Sequence, residues 1–228
     1  QRPEPFRAAH RRRTMRRGRT VNGEDRSRIT TTTLRHYDAH AEAFWAGTRD
    51  HDVSQNIEAL LGAIEAEPPF TLLDLGCGPG RDLKAFNERG HVAIGLDGAP
   101  RFCEMARAYS GCEVWQQDFL ALELPAERFD GIYANASLFH APLSELPRVL
   151  AELRAALKPR GVLFSSNPRG QDEAGWVQGR YGVFHAPESW LAHVRAAGFE
   201  LIDAYYRPPG LPRERQPWFA SVWRKAGA

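Results

Sequence analysis

The chain has 228 residues, 43% of them hydrophobic, enough to bury one sizeable core and suited to a single α/β domain with an extension. No apolar run approaches the roughly 20 residues that span a bilayer, and no apolar stretch follows the N-terminal arginines as a secretory signal requires. The three cysteines, Cys77, Cys103 and Cys112, are odd in number and lack metal-ligand spacing, which suits a reduced, cytoplasmic setting.

Net charge is +2, but residues 1–30 hold ten arginines against three acids, leaving −5 on the other 198 residues. Residues 1–32 have few apolar side chains and no sustained periodicity, so they are expected to be a basic, disordered leader or linker. An RNA-binding arm is the alternative reading of that charge run. Residues 33–228 are expected to form the folded domain. The segment 33–47 has Tyr37, Ala41 and Phe44 at helical spacing, and 53–66 places Ile57, Leu60, Leu61 and Ile64 on one helix face. Strands are expected at 70–76, 91–97, 112–118, 128–136 and 161–167, with helices at 79–89, 99–109 and 144–157 between them. A glycine-rich loop (168–186) and a helix (187–197) precede two final strands, which a proline-rich loop joins. Such alternation implies a mostly parallel seven-stranded sheet with helices on both faces and an antiparallel C-terminal hairpin.

The stretch DLGCGPGRD (74–82) stands where the first strand hands over to its helix. Ligands of open α/β sheets collect at such carboxyl ends. Gly76, Gly78 and Gly80 allow positive φ and a close approach to the backbone. Their spacing is Gly-x-Gly-x-Gly, which departs from the dinucleotide fingerprint at the third glycine. Asp74 suits the ammonium of an amino-acid tail better than a pyrophosphate. Asp97, at the end of the second strand, suits two ribose hydroxyls. Asp118 is placed to accept from an adenine amino group, and Phe119 to pack on the ring.

LLDLGCGPGRD, GLDGAP, QQDFLAL, FDGIYANASLFH and LKPRGVLF together resemble the successive cofactor motifs of class I S-adenosylmethionine-dependent methyltransferases. Arg160 stands where that family often has glycine. The resemblance spans about residues 35–225 and implies the family's Rossmann-like fold and S-adenosyl-L-methionine as cofactor. Asn135 and His140 then lie next to the transferred methyl group, Asn135 touching both donor and acceptor, and both are candidate catalytic residues. Tyr37, Arg49, Asn167, Arg169 and Tyr181 are candidate substrate-binding residues, with Arg169 the first choice for a substrate carboxylate and 179–185 a candidate lid. Asp50, His51 and Asp52 are adjacent and do not converge on one ion, so no metal is expected.

FWAGTRDHDVSQNI, NASLFH, SSNPRG, RYGVFH and YYRPPGLPRERQPWFASVWRK more closely resemble the 5-thiohistidine N-methyltransferases of ovothiol biosynthesis. That resemblance implies methylation of the imidazole π nitrogen to give ovothiol A. It also implies a sulfoxide synthase and a C–S lyase as partners in the same pathway, with no nucleic acid or membrane. Such enzymes are free-standing or the C-terminal domain of a bifunctional sulfoxide synthase, and in the second case the basic leader is an interdomain linker. A methyltransferase for another amino acid, a carboxylate or a phenol has the same cofactor half, so that alternative stays open, as does a non-catalytic binding module on the same fold.

Overall fold

The computed structural model describes residues 23–227. Short apolar runs between turn-forming residues become β1 (Thr71–Leu75), β2 (Val92–Asp97), β3 (Glu113–Gln116), β4 (Phe129–Asn135) and β5 (Leu157–Pro168). β6 (Glu173–Val177) and β7 (Arg180–Phe184) form a separate hairpin, and β8 (Phe199–Arg207) and β9 (Trp218–Lys225) end the chain. The main sheet has seven strands in the order β3-β2-β1-β4-β5-β9-β8, with β9 antiparallel to both of its neighbours. The chain therefore starts at the centre of the sheet, winds outward to β3, then crosses back to fill the other half.

Alternation along each buried strand sends successive side chains to opposite faces. Leu73, Leu75, Ile132 and Ala134 join a core with Leu146, Val149, Leu150 and Leu153 of α6 (Leu146–Ala156) and Trp190 and Val194 of α7 (Pro187–Ala196). Leu72 and Tyr133 point the other way. They meet Ile57 and Leu60 of α3 (Ser54–Ala63), Leu83 and Phe86 of α4 (Arg81–Glu88), and Cys103 and Ala106 of α5 (Pro100–Ser110). Three layers result, as the alternating pattern implies, with the expected antiparallel C-terminal pair in place.

Two expectations change. The first helix does not begin at residue 33: α1 runs Gly23–Ala39, and a break at His40 leads into α2 (Ala41–Thr48). Residues 23–32, assigned to the leader, are thus helical, while 1–22 lie outside the described residues. The reason is tertiary. Ile29 is buried with Tyr181 and Val183 of β7, and Arg26 pairs with the buried carboxylate of Glu145 at the entry to α6. The second change is at 168–186, expected as a loop, where β6 and β7 pair antiparallel from Glu173↔Phe184 to Val177↔Arg180. Glycines at 175 and 182 conceal the strand alternation, and the hairpin gains its stability by packing on α1 rather than from its own composition. Among the described residues, no helix is long and apolar enough to cross a membrane.

Candidate active site

Every strand but β9 points its carboxyl end to the same edge of the main sheet. Because β9 is reversed, its first residue, Trp218, reaches that edge too, opposite Pro168 of β5 and Arg207 of β8. A cavity of about 840 Å³ follows this edge. Toward β3, its wall is made by Gly76, Gly78, Asp97, Asp118 and Phe119. Past β4, it is made by Asn135, Ser166, Trp218 and Arg207. Tyr37 of α1, Phe44 of α2 and Arg180 of β7 line it from above the edge.

The glycine turn leaves room for a ligand because side chains do not fit there. Gly76 has φ +75°, and a Cβ on it would stand 2.4 Å from Cβ of Ser137. Gly78 has φ +52° and donates its N–H to Asp97 Oδ2 at 3.0 Å. Gly80 differs: it packs on the backbone of Ala106 in α5 and lies off the cavity wall. Asp97 also accepts from the Ala99 N–H through Oδ1 at 2.9 Å. Each oxygen keeps a further lone pair. Burial pushes the Asp97 carboxyl up to about 6. Asp118 accepts from the Leu120 N–H at 2.8 Å and stays on the wall. Asp74 lies off the wall, where burial first and the neighbouring Asp82 second push its carboxyl well above the usual range; its Oδ2 is buried without a hydrogen-bond partner.

At the end of β4, a chain of hydrogen bonds fixes Asn135. The Tyr205 hydroxyl donates to Asn56 Oδ1 at 2.9 Å, and Asn56 Nδ2 donates to Asn135 Oδ1 at 3.1 Å. Asn135 Nδ2 then donates to Asp82 Oδ2 at 3.2 Å, while Arg81 Nε holds the other Asp82 oxygen at 2.6 Å. His140 follows in a short turn. Its Nδ1 is 2.6 Å from the Tyr181 carbonyl, which can only accept, so the proton is on Nδ1. Nε2 therefore accepts from the Tyr37 hydroxyl at 2.8 Å. Burial lowers the imidazole to about 4, and it is neutral near pH 7. His140 lines the cavity with both nitrogens engaged, the Nε2 lone pair by the Tyr37 hydroxyl.

Four expected substrate contacts are absent from the cavity wall. Arg49 is exposed and lies beside Asp50. Asn167 is buried with both amide atoms unpartnered among the described residues, and it does not line the cavity. Arg169 turns to the loop after β8, where Nη1 donates to the carbonyls of Arg213 and Gln216 at 2.8 and 2.6 Å. Tyr181 packs its ring with Ile29 and Val183 and offers only its backbone to the site. Tyr37 is where it was expected. The contacts not anticipated are Asn56, Asp82, Ser137, Arg180 and Arg207. Asp82 ends the glycine stretch and the other four lie in the segments that resemble the ovothiol enzymes, but none was singled out.

Residues 72–161 match the family described as a methyltransferase domain. The chain has the class I methyltransferase fold. It is 32% identical over 162 residues to trans-aconitate 2-methyltransferase of Azoarcus sp. (strain BH72), covering 69% of this chain and 62% of that protein. It is 31% identical over 198 residues to 24-methylenesterol C-methyltransferase 2 of Oryza sativa subsp. japonica, covering 83% and 47%. The chain thus spans about half to two thirds of these relatives. In fold it is similar to 1,6-didemethyltoxoflavin-N1-methyltransferase of Burkholderia thailandensis, solved with 1,6-didemethyltoxoflavin and S-adenosylhomocysteine. The TM-score is 0.76 at 20% identity, covering 98% of this chain and 99% of that one. That neighbour was solved with S-adenosylhomocysteine, the form S-adenosylmethionine takes after methyl transfer, and the residues present here fit such a ligand. The cradle at Gly76 excludes a side chain, and Asp97 has spare acceptor capacity on the cavity wall.

Proposed function

We propose that the chain transfers the methyl group of S-adenosylmethionine to the imidazole π nitrogen of 5-thiohistidine, giving ovothiol A. When bound, the donor supplies an electrophilic methyl on a sulfonium. Asp97 would hold its ribose, Asp118 and Phe119 its adenine, and Gly76 and Gly78 the approach of its tail.

One observation carries the choice of reaction: the His140 imidazole is neutral, with both nitrogens already in hydrogen bonds. His140 is thus not free to deprotonate a hydroxyl, and Asp82 is held by Arg81, which favours an acceptor that brings its own lone pair. A neutral imidazole does. The work left to the protein is orientation, bringing nitrogen and methyl close and in line. Asn135, held between Asn56 and Asp82, is placed to select the ring tautomer whose other nitrogen bears the proton. The loop segments NASLFH, SSNPRG and RYGVFH support the 5-thiohistidine assignment through their resemblance to the ovothiol enzymes. In that reading the sulfoxide synthase and C–S lyase act earlier in the same pathway.

A small carboxylate is the second reading. Arg81, Arg180 and Arg207 all line the cavity, and a carboxylate also needs no base. Incubation with S-adenosylmethionine and, separately, 5-thiohistidine, histidine, 2-thiohistidine and trans-aconitate decides between them by mass spectrometry. A one-methyl gain on 5-thiohistidine alone is expected. A gain on trans-aconitate in its place overturns the proposal.

A further inference from the structure

Arg169, the residue best placed in sequence to grip an acceptor carboxylate, is spent on two loop carbonyls. A different arginine stands on the cavity wall. Arg207 ends β8, and its guanidinium has a single hydrogen bond among the described residues, from Nη2 to the Asp52 carbonyl at 2.8 Å. Its Nε is buried with no partner. Arg81, by contrast, is paired with Asp82. No carboxylate lies within ion-pair distance of Arg207 among the described residues, although the exposed Asp52 is near enough to be influenced by its charge. A partly desolvated cation with unused donors is costly unless an anion completes it. Guanidinium is the group that receives a carboxylate on two parallel N–H bonds.

We propose that Arg207 binds the carboxylate of the methyl acceptor, making this a site for carboxylate-bearing acceptors of amino-acid size. Placement along the sheet supports the size. Asn135 ends β4, and β5 and β9 separate it from Arg207 on β8. Three strand spacings are about 14 Å between backbones. Both residues line the cavity, so an acceptor lying between them spans about that distance less the reach of the two side chains, which suits a ring with a short side chain. The arginine is also presented by a braced segment. Gln216 Nε2 donates to the Pro208 carbonyl at 2.9 Å, Arg169 ties the Arg213 and Gln216 carbonyls, and Arg213 stacks on the Tyr206 ring. Such bracing reduces the ordering cost on binding. The inference rests on the methyl-transfer reading only in taking the cavity beyond Asn135 as the acceptor's.

The test is calorimetric titration of the protein saturated with S-adenosylhomocysteine. The probes are 5-thiohistidine, its decarboxylated amine and trans-aconitate, and the proteins are wild type, Arg207→Gln and Arg207→Lys. Arg207→Gln is expected to weaken the carboxylate probe that wild type binds by about 10- to 100-fold, the scale of charge-assisted hydrogen bonds. Arg207→Lys should recover part of that. The decarboxylated amine should bind wild type and Arg207→Gln alike, and S-adenosylhomocysteine affinity should be unchanged in both variants, which reports an intact fold. Undiminished binding of the carboxylate probe to Arg207→Gln overturns the assignment, as does a wild type that binds neither carboxylate probe. If trans-aconitate alone binds, and does so through Arg207, the imidazole reading falls and this assignment stands. If 5-thiohistidine binds wild type and Arg207→Gln equally, the reverse holds.

Discussion

Asp97 makes donor affinity depend on pH in a calculable way. Its carboxylate is buried, holds the Gly78 and Ala99 N–H groups, and lines the cavity where the proposed reading puts the donor's ribose. Burial raises it to about 6. Ribose hydroxyls bind best to the carboxylate form, so affinity is full above pH 7 and falls as protons add. At about pH 5, one pH unit below that value, roughly one tenth of the protein carries the carboxylate, and the apparent Kd for S-adenosylhomocysteine rises about tenfold. The assay is calorimetric titration between about pH 7.5 and pH 5, with Asp97→Asn beside it. The variant loses one acceptor to a donor, so its affinity drops by about 10- to 100-fold, and its pH profile flattens over this window. A wild-type Kd that stays level to pH 5 refutes the reasoning, and so does an unchanged slope in Asp97→Asn, which would assign the titration to another group.

Gly76→Ala should lower stability by about 2–4 kcal/mol, combining a left-handed φ with a methyl forced into Ser137. Adding Ser137→Gly should restore part of the loss, and a thermal melt that shows no recovery contradicts the clash. Tyr37→Phe leaves the buried Nε2 of His140 without its donor, which costs about 1–3 kcal/mol; each kcal/mol appears as about 2–4 °C in Tm, and an unchanged Tm argues against that bond. Asn135→Ala should cut turnover by more than tenfold, on the scale of a lost orienting contact, with a smaller change in donor affinity. Equal losses in both would place Asn135 in donor binding alone.

Part of the cavity wall was legible because it depends on local chemistry: Gly76, Gly78, Asp97, Asp118 and Phe119 line it, while Gly80 and Asp74 do not. Three glycines after an apolar run, and acids at the ends of the next two strands, have few other uses. The acceptor half depends on which way a side chain turns, and neighbours far off in sequence decide that. Arg169 and Arg207 look equivalent in the sequence, each beside a proline near a sheet edge. Arg169 is drawn to the Arg213 and Gln216 carbonyls, while Arg207 stays on the cavity wall. Asn56 reads as one polar residue near a helix start, yet it sets the orientation of Asn135, a residue 79 positions away. The first ten residues of α1, 23–32, were hidden for a similar reason. Its inner side relies on Ile29 and Thr33, the latter accepting from the Tyr181 N–H at 3.0 Å, and its outer side is charged. The β6–β7 hairpin and α1 stabilise one another, so neither is evident from its own composition.

The account rests on a donor gripped between β1 and β3, with its methyl aimed past β4. A crystal structure with S-adenosylhomocysteine bound tests this most directly. The ribose is predicted on Asp97, the adenine between Asp118 and Phe119, and the sulfur nearest Asn135. A ligand held elsewhere, or one whose sulfur points away from Asn135 and Arg207, contradicts the account.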